Sequence, residues 1–355
     1  MKVAQITGIA AYLPEGRLDN AELVRVFPKW TEEKLERKLG VVSRPVAGPT
    51  ETALDLGEIA SRRLFDAGIV RPDEIDFLIL CTQSPDYLIP SSACILQDRL
   101  GLPQRCGAFD VNLGCSGYVY GLGVCKGLIE SGMARRVLFV TAETYCKHVN
   151  ERDSVSRPIF SDGAAATLVE GVDADSNDVL AGAPGLGPFE FGTDGSGANM
   201  LMIEAGGSRL PSSAETAIEK IDMHGNYRSK NQLYMNGPGV FTFSVNVVPP
   251  IVKRFEELAA SRGTTIDAYL FHQANKFMLD RLRDLCEIDP AKYFNDVSTR
   301  GNTVSSTIPI ATIDAVKTGL VTPGSCALLV GFGVGLSWGA GLARFPETFR
   351  VVPLE

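Results

Sequence analysis

Several kinds of residue and segment are scarce in this sequence. It has three histidines and two tryptophans in 355 residues. Its eight cysteines, at 81, 94, 106, 115, 125, 146, 286 and 326, never reach the C-x-x-C spacing of a zinc or redox site, so no metal and no resident cofactor is expected. Most of them lie in apolar runs, which reads as reduced, buried thiols in a cytoplasmic protein. Basic side chains, 34 Lys plus Arg, are outnumbered by 42 Asp plus Glu. The resulting charge of -8 excludes a general nucleic-acid binder, and any acidic partner must meet a local basic patch. Residues 1–16 lack the long apolar core of a secretory leader and read as a first strand, Val3 to Tyr12. The charge-free run 318–343 has membrane length, but Pro323 and six glycines between Gly324 and Gly341 break it. Two buried strands joined by a turn are expected there instead.

What is present is a large globular α/β chain, 45% hydrophobic and 21% charged. A succession of elements occurs twice. Helix 52–67 leads to strand 75–81, helix 91–100, a strand ending at Val111, helix 117–132 and strand 136–142. Helix 240–261 leads to strand 268–271, helix 276–286, strand 294–297, a helix after Asn302 and strand 327–332. The stretch 173–230, rich in Gly, Ser, Asp and Asn, reads as connecting loops between halves at 1–172 and 231–355. Its Gly192–Gly197 segment lacks the Gly-Lys-Ser/Thr ending of a phosphate loop.

Chemistry concentrates on three polar residues. In Asp110-Val-Asn-Leu-Gly-Cys115-Ser-Gly, a strand ends, a Gly-flanked turn follows, and Cys115 stands at the start of a helix. The partial positive charge there favours a thiolate, which makes a nucleophile. His272 ends the strand that matches 78–81, and Asn302 falls on the turn equivalent to that of Cys115. Open parallel sheets place their sites at such strand ends. Taken singly, Cys115 reads as a small buried residue, His272 as a structural one and Asn302 as a helix cap. Their joint placement points to a site. His148 and His224 receive no role. A cysteine protease is excluded because the Cys-Gly-Ser/Ala-Cys-Trp/Tyr signature is absent.

The Cys115 segment, Phe271-His272-Gln273-Ala274-Asn275, and Gly301-Asn302-Thr303 before a Ser-rich helix start together resemble the active-site motifs of β-ketoacyl-[acyl-carrier-protein] synthase III, a thiolase-fold family. Further matches are Gly8–Pro14, Ile89–Cys94, Phe160–Ala164, Met235–Gly237 and Gly331–Gly339. The resemblance implies a thiolase fold: two pseudo-repeated α/β halves in a layered α-β-α-β-α sandwich. It implies an acyltransferase in which Cys115 takes an acyl group from a thioester. A malonyl-carrier protein then loses carbon dioxide with His272 and Asn302 as neutral donors to the oxyanion, and backbone N–H groups of Cys115 and Val334 hold the second oxyanion. Fatty-acid or specialised acyl or polyketide synthesis, acyl carrier protein as partner, and a homodimer contacting through the Ile89 region are implied with it.

Departures bear on the substrate. The family's adenine-stacking Trp is replaced by Lys34, with Trp30 out of register, an arginine of the family by Lys38, and a basic residue five after the histidine by Phe277. Coenzyme A or a carrier protein could therefore present the donor, and Lys276, Arg281 and Arg283 are candidates for docking an acidic carrier. Two other readings stay open: acyl transfer to a different acceptor without decarboxylation, and a non-catalytic thiolase-fold partner subunit.

Overall fold

A computed structural model describes residues 1–174, 184–223 and 225–354. His224, which carried no role, lies outside the described residues. The first half comprises β1 (Lys2–Tyr12), α1 (Asn20–Val26), α2 (Glu32–Leu39), α3 (Ala53–Asp66), β2 (Phe77–Cys81), α4 (Ser92–Arg99), β3 (Gly107–Val111), α5 (Gly117–Glu130), β4 (Arg136–Glu143) and β5 (Gly163–Asp173). The second comprises β6 (Gly185–Thr193), α6 (Gly237–Ser261), β7 (Ala268–Phe271), α7 (Lys276–Leu285), α8 (Thr307–Lys317), β8 (Cys326–Gly333) and β9 (Ser337–Arg344). A final strand, β10 (Arg350–Val351), returns to the first sheet.

Local chemistry sets the helix ends. Thr52 and Asp55 exchange side-chain and backbone hydrogen bonds in a capping box at the start of α3. Asn236 accepts from Gly239 N to open α6, and Pro238 sits in that first turn, where its missing N–H is no loss.

The sheets run β10-β1-β5-β4-β2-β3 and β7-β8-β9-β6. Their strands alternate with period two, and each face has its own helices. Leu78 and Leu80 pack with Leu54, Leu64, Ala93 and Leu96 of α3 and α4. Ile79 and Cys81 turn the other way, onto Val119 and Leu122 of α5 and Ile310 of α8, which also cover Ala268, Leu270, Ala327 and Leu329 of the second sheet. Tyr269, Phe271, Leu328 and Val330 face Ile251 and Phe255 of α6 and Leu279 of α7. Five layers result, α-β-α-β-α, with α5 and α8 as the shared middle one. Each Leu, Ile or Phe fully buried in them contributes about 1.5–3 kcal/mol. No described helix is long and apolar enough to cross a membrane, and β8 and β9 form the antiparallel pair expected from the charge-free run.

Two expectations change. The 173–230 stretch is more than connecting loops, because β6 pairs antiparallel with β9 at the edge of the second sheet. Its Gly185, Gly187 and Pro188 weaken the sequence signal for a strand, and an edge position tolerates them. The expected strand 294–297 reduces to a single bridge between Tyr269 and Tyr293, followed by a helical turn at Val297–Arg300. Asp296 N donates to Gln273 Oε1 at 2.9 Å, so this N–H is spent on a side chain rather than on a strand ladder.

Candidate active site

The turn between β3 and α5 is fixed from both sides. Asp110, near the end of β3, accepts from the backbone N–H groups of Ser92 and Ala93 at 2.7 Å each, at the start of α4. Ser116, next to Cys115, shares a hydrogen bond of 2.7 Å with Ser337 of the second half. Cys115 between them is buried, 5% exposed.

The end of β8 runs directly beneath this turn. At Gly331 an added Cβ would lie 2.8 Å from Ser116 Cα, and at Gly333, with φ +156°, 2.7 Å from Cys115 Cβ and 2.8 Å from its sulfur. Only glycine permits that approach. The approach brings the Val334 N–H to the sulfur, and the Cys115 N–H reaches it too. Gly333→Ala is expected to displace the sulfur and to slow by about 10²-fold the acylation of Cys115 implied by the sequence resemblance, read by intact-mass kinetics. Wild-type loading in that variant would show the close approach to be unimportant.

Burial pushes the Cys115 thiol up to about 12, with the Val334 N–H pulling it down and the Glu143 carboxyl pushing it further up. The expected thiolate therefore gives way to a thiol. Gly117 is the first residue of α5, so Cys115 lies before the helix begins, and desolvation is the largest influence on its thiol.

His272 extends β7, its backbone N–H donating to Val330 O at 2.8 Å, and its ring meets Phe332 edge-on at 5.6 Å. Asn302 is held by Asn302 N to Ile159 O (3.1 Å) and Ser161 N to Asn302 O (2.9 Å). Its Oδ1 accepts from Val304 N at 2.9 Å, which turns the amide nitrogen toward His272 Nε2 at 3.5 Å. Val304 adopts φ +57°, a left-handed conformation rare for a β-branched residue and of the kind that gathers at functional sites.

Sequence reasoning missed Thr307. Its Oγ1 lies 2.7 Å from His272 Nδ1, while its hydroxyl donates to Val304 O at 3.0 Å. With that proton committed, Nδ1 must be the donor, and Nε2 carries the lone pair. Burial pushes the imidazole down to about 3, so it is neutral. The neutral state matches expectation, but Nε2 is an acceptor in this tautomer, not the donor expected.

Cys115, His272 and Asn302 line one cavity of about 80 Å³ with Phe160, Met278 and Phe332. Two roomier cavities, of about 190 and 840 Å³, include none of the three. The candidate docking residues divide. Lys276 is exposed in the first turn of α7, beside Asn275 and Met278 of the cavity wall, but pairs with Asp280. Arg283 pairs with Asp280 and Asp284, leaving Arg281 exposed farther along the helix. These carboxylates offset much of the expected basic cluster. On the same turn of α7, exposed Phe277 stacks on Phe241 at 5.4 Å. Lys34 and Lys38 approach the Trp30 ring at 5.2 and 5.4 Å.

Family models describing 3-oxoacyl-[acyl-carrier-protein (ACP)] synthase III match residues 109–205, and its C-terminal part residues 258–345. The chain is 34% identical to a β-ketoacyl-[acyl-carrier-protein] synthase III of Caldanaerobacter subterraneus, over 97% of this chain and 98% of that one. A crystal structure of a 3-oxoacyl-(acyl-carrier-protein) synthase III superposes with a TM-score of 0.91 at 46% identity, covering 97% of this chain and 100% of the other. The priming β-ketosynthase of the R1128 polyketide pathway superposes with a TM-score of 0.82 at 29% identity, covering 98% and 97%. With its thiolase-type layers and full-length likeness, the chain belongs to the β-ketoacyl-[acyl-carrier-protein] synthase III family.

Proposed function

We propose that this chain is a condensing acyltransferase that loads an acyl group on Cys115 and extends it by decarboxylative condensation with a malonyl thioester, in fatty-acid or polyketide-type synthesis. One observation carries the reading: a buried thiol, a neutral imidazole and an amide meet in one cavity, with two backbone N–H groups at the sulfur.

The protons balance around a closed cycle. Cys115 passes its proton to His272 Nε2 as the sulfur attacks the thioester carbonyl, and the N–H groups of Cys115 and Val334 hold the oxyanion. The departing thiolate takes a proton from water. His272 Nε2, now a donor, and Asn302 Nδ2 receive the negative charge that forms on the malonyl thioester oxygen as the C–C bond to carbon dioxide breaks. The carbanion attacks the acyl-cysteine, the Cys115 sulfur leaves, and it recovers its proton from His272. The imidazolium is costly in this burial; the thiolate offsets that cost during loading, and the malonyl carboxylate and then the enolate offset it during decarboxylation.

A carrier protein or coenzyme A presents the donor beside exposed Lys276 and Phe277, which neighbour Asn275 and Met278 of the cavity wall. A homodimer contacting through the exposed Tyr87-Leu88-Ile89 arm is supported by the exposure of Leu88 and Ile89, 88% and 86%. Light scattering is expected to give twice the chain mass, and a monomer at working concentration would contradict the dimer. All eight cysteines are unpaired, which suits the cytoplasm.

The test is intact-protein mass spectrometry with a panel of acyl-CoA and acyl-carrier-protein donors, followed by malonyl-carrier protein. A mass gain on Cys115 that vanishes as a ketoacyl product forms is expected. Acylation that persists until another acceptor is supplied would overturn the decarboxylative step, and no acylation from any donor would overturn the enzyme reading.

A further inference from the structure

Glu143, the last residue of β4, is fully buried at the seam between the halves. Its carboxyl oxygens lie 3.2 and 3.1 Å from the Gln83 backbone N–H, 3.1 Å from Ser84 Oγ and 3.0 Å from Ser305 Oγ. Gln83 and Ser84 follow β2, whereas Ser305 lies in the loop that carries Asn302. Among the described residues no basic side chain pairs with this carboxyl. A buried, unpaired carboxyl is costly, and a glutamine of the same shape could fill the same place, its oxygen accepting from Gln83 N–H and one serine while its amide nitrogen donates to the other serine hydroxyl.

The loop it touches needs holding. Val304, between Asn302 and Ser305, has its φ at +57°. Ser306 Oγ donates to Thr141 Oγ1 at 2.9 Å, so two consecutive serines fasten the loop to the end of β4. The titratable groups facing Glu143 are Cys81 of β2, Cys115, Tyr145 beyond the strand, and Asp162 before β5.

We propose that Glu143 is a positioning residue for the condensation: a protonated carboxyl that fastens the Asn302 loop to the first half while keeping negative charge away from Cys115. The assignment rests on the condensing function proposed above. Burial raises this carboxyl to about 8, against the pull of its three donors. At neutral pH it keeps its proton. Above about 8 it ionises, and a negative charge then opposes both the Cys115 thiolate and the oxyanion at Asn302.

The full chain, loaded by whichever donor acylates Cys115 in the screen, is given malonyl-carrier protein from pH 6 to 9.5, and carbon dioxide release is followed. Wild-type release is expected to fall about tenfold from pH 7 to 9, whereas Glu143→Gln stays within about threefold of wild type at pH 7 and remains level to pH 9. Glu143→Ala is expected to lose about 10- to 100-fold in carbon dioxide release while its self-acylation at pH 7 stays within about threefold. An unchanged alkaline fall in Glu143→Gln would overturn the proposal, as would wild-type release or an equal slowing of both steps in Glu143→Ala. Should Glu143→Ala fail to fold, the Glu143→Gln profile decides. A wild-type chain that neither loads nor releases carbon dioxide would instead sink the condensing function.

Discussion

Cys115→Ala is expected to abolish acyl transfer, a fall of at least about 10³-fold, with no acyl adduct on the intact protein from any donor. Every other group at the site depends on the sulfur. The Val334 and Cys115 N–H groups are aimed at it, and the glycine at 333 leaves room for it. Without the sulfur they bind an oxyanion that nothing generates. Alanine removes only the sulfur from a buried position, so the fold is retained and a circular-dichroism melt separates the chemistry from stability. Because the thiol rests near 12, loading of the wild type depends on handing its proton to His272. The His272→Ala variant should therefore load more slowly at pH 7 and recover part of the deficit as pH rises. Turnover of Cys115→Ala at the wild-type rate would refute the nucleophile assignment.

The parts of this molecule legible in the sequence are those where a local pattern and the tertiary answer agree. The apolar runs of β2, β4 and β8, the helix beginning after Thr52 and the two-fold succession of elements were readable because short apolar runs buried on both faces and a helical period are local signals. Cys115, His272 and Asn302 stood out through their places at strand ends and turns of the two halves and through the three motif segments that hold them, and the fold brings them to one cavity. What escaped reading depends on groups distant in sequence. β6 becomes a strand because β9 pairs with it. The strand expected at 294–297 is lost to the Gln273 side chain. Desolvation, which turns the expected Cys115 thiolate into a thiol, has no signature in a spacing. The tautomer of His272 likewise depends on a hydroxyl 35 residues away, already committed to Val304 O.

His272→Ala and Asn302→Ala are each expected to cut decarboxylation by about 10²- to 10³-fold, the usual effect of removing one donor from an oxyanion site. Self-acylation should survive in part, since in the proposed cycle its oxyanion is held by the Cys115 and Val334 N–H groups, which neither substitution touches. The pair is not symmetric. Asn302 spends Oδ1 on Val304 N and keeps only its amide N–H for the substrate, so Asn302→Ala removes a donor and frees a strained loop. Asn302→Asp keeps the acceptor and replaces the donor by a carboxylate beside the developing oxyanion, and should be at least as damaging as alanine. In the proposed cycle His272 is both proton acceptor and donor, so its loss reaches into loading as well. Thr307→Val separates these roles. Without the hydroxyl, Nδ1 loses its fixed partner and Nε2 is free to carry the ring proton in the resting enzyme, so loading should slow more than decarboxylation. Since the imidazole protonates only near 3, its charge state cannot produce an acid limb between pH 5 and 7. Rapid-quench measurement of acyl-enzyme formation beside carbon dioxide release checks the division, and normal carbon dioxide release by either alanine variant would refute it.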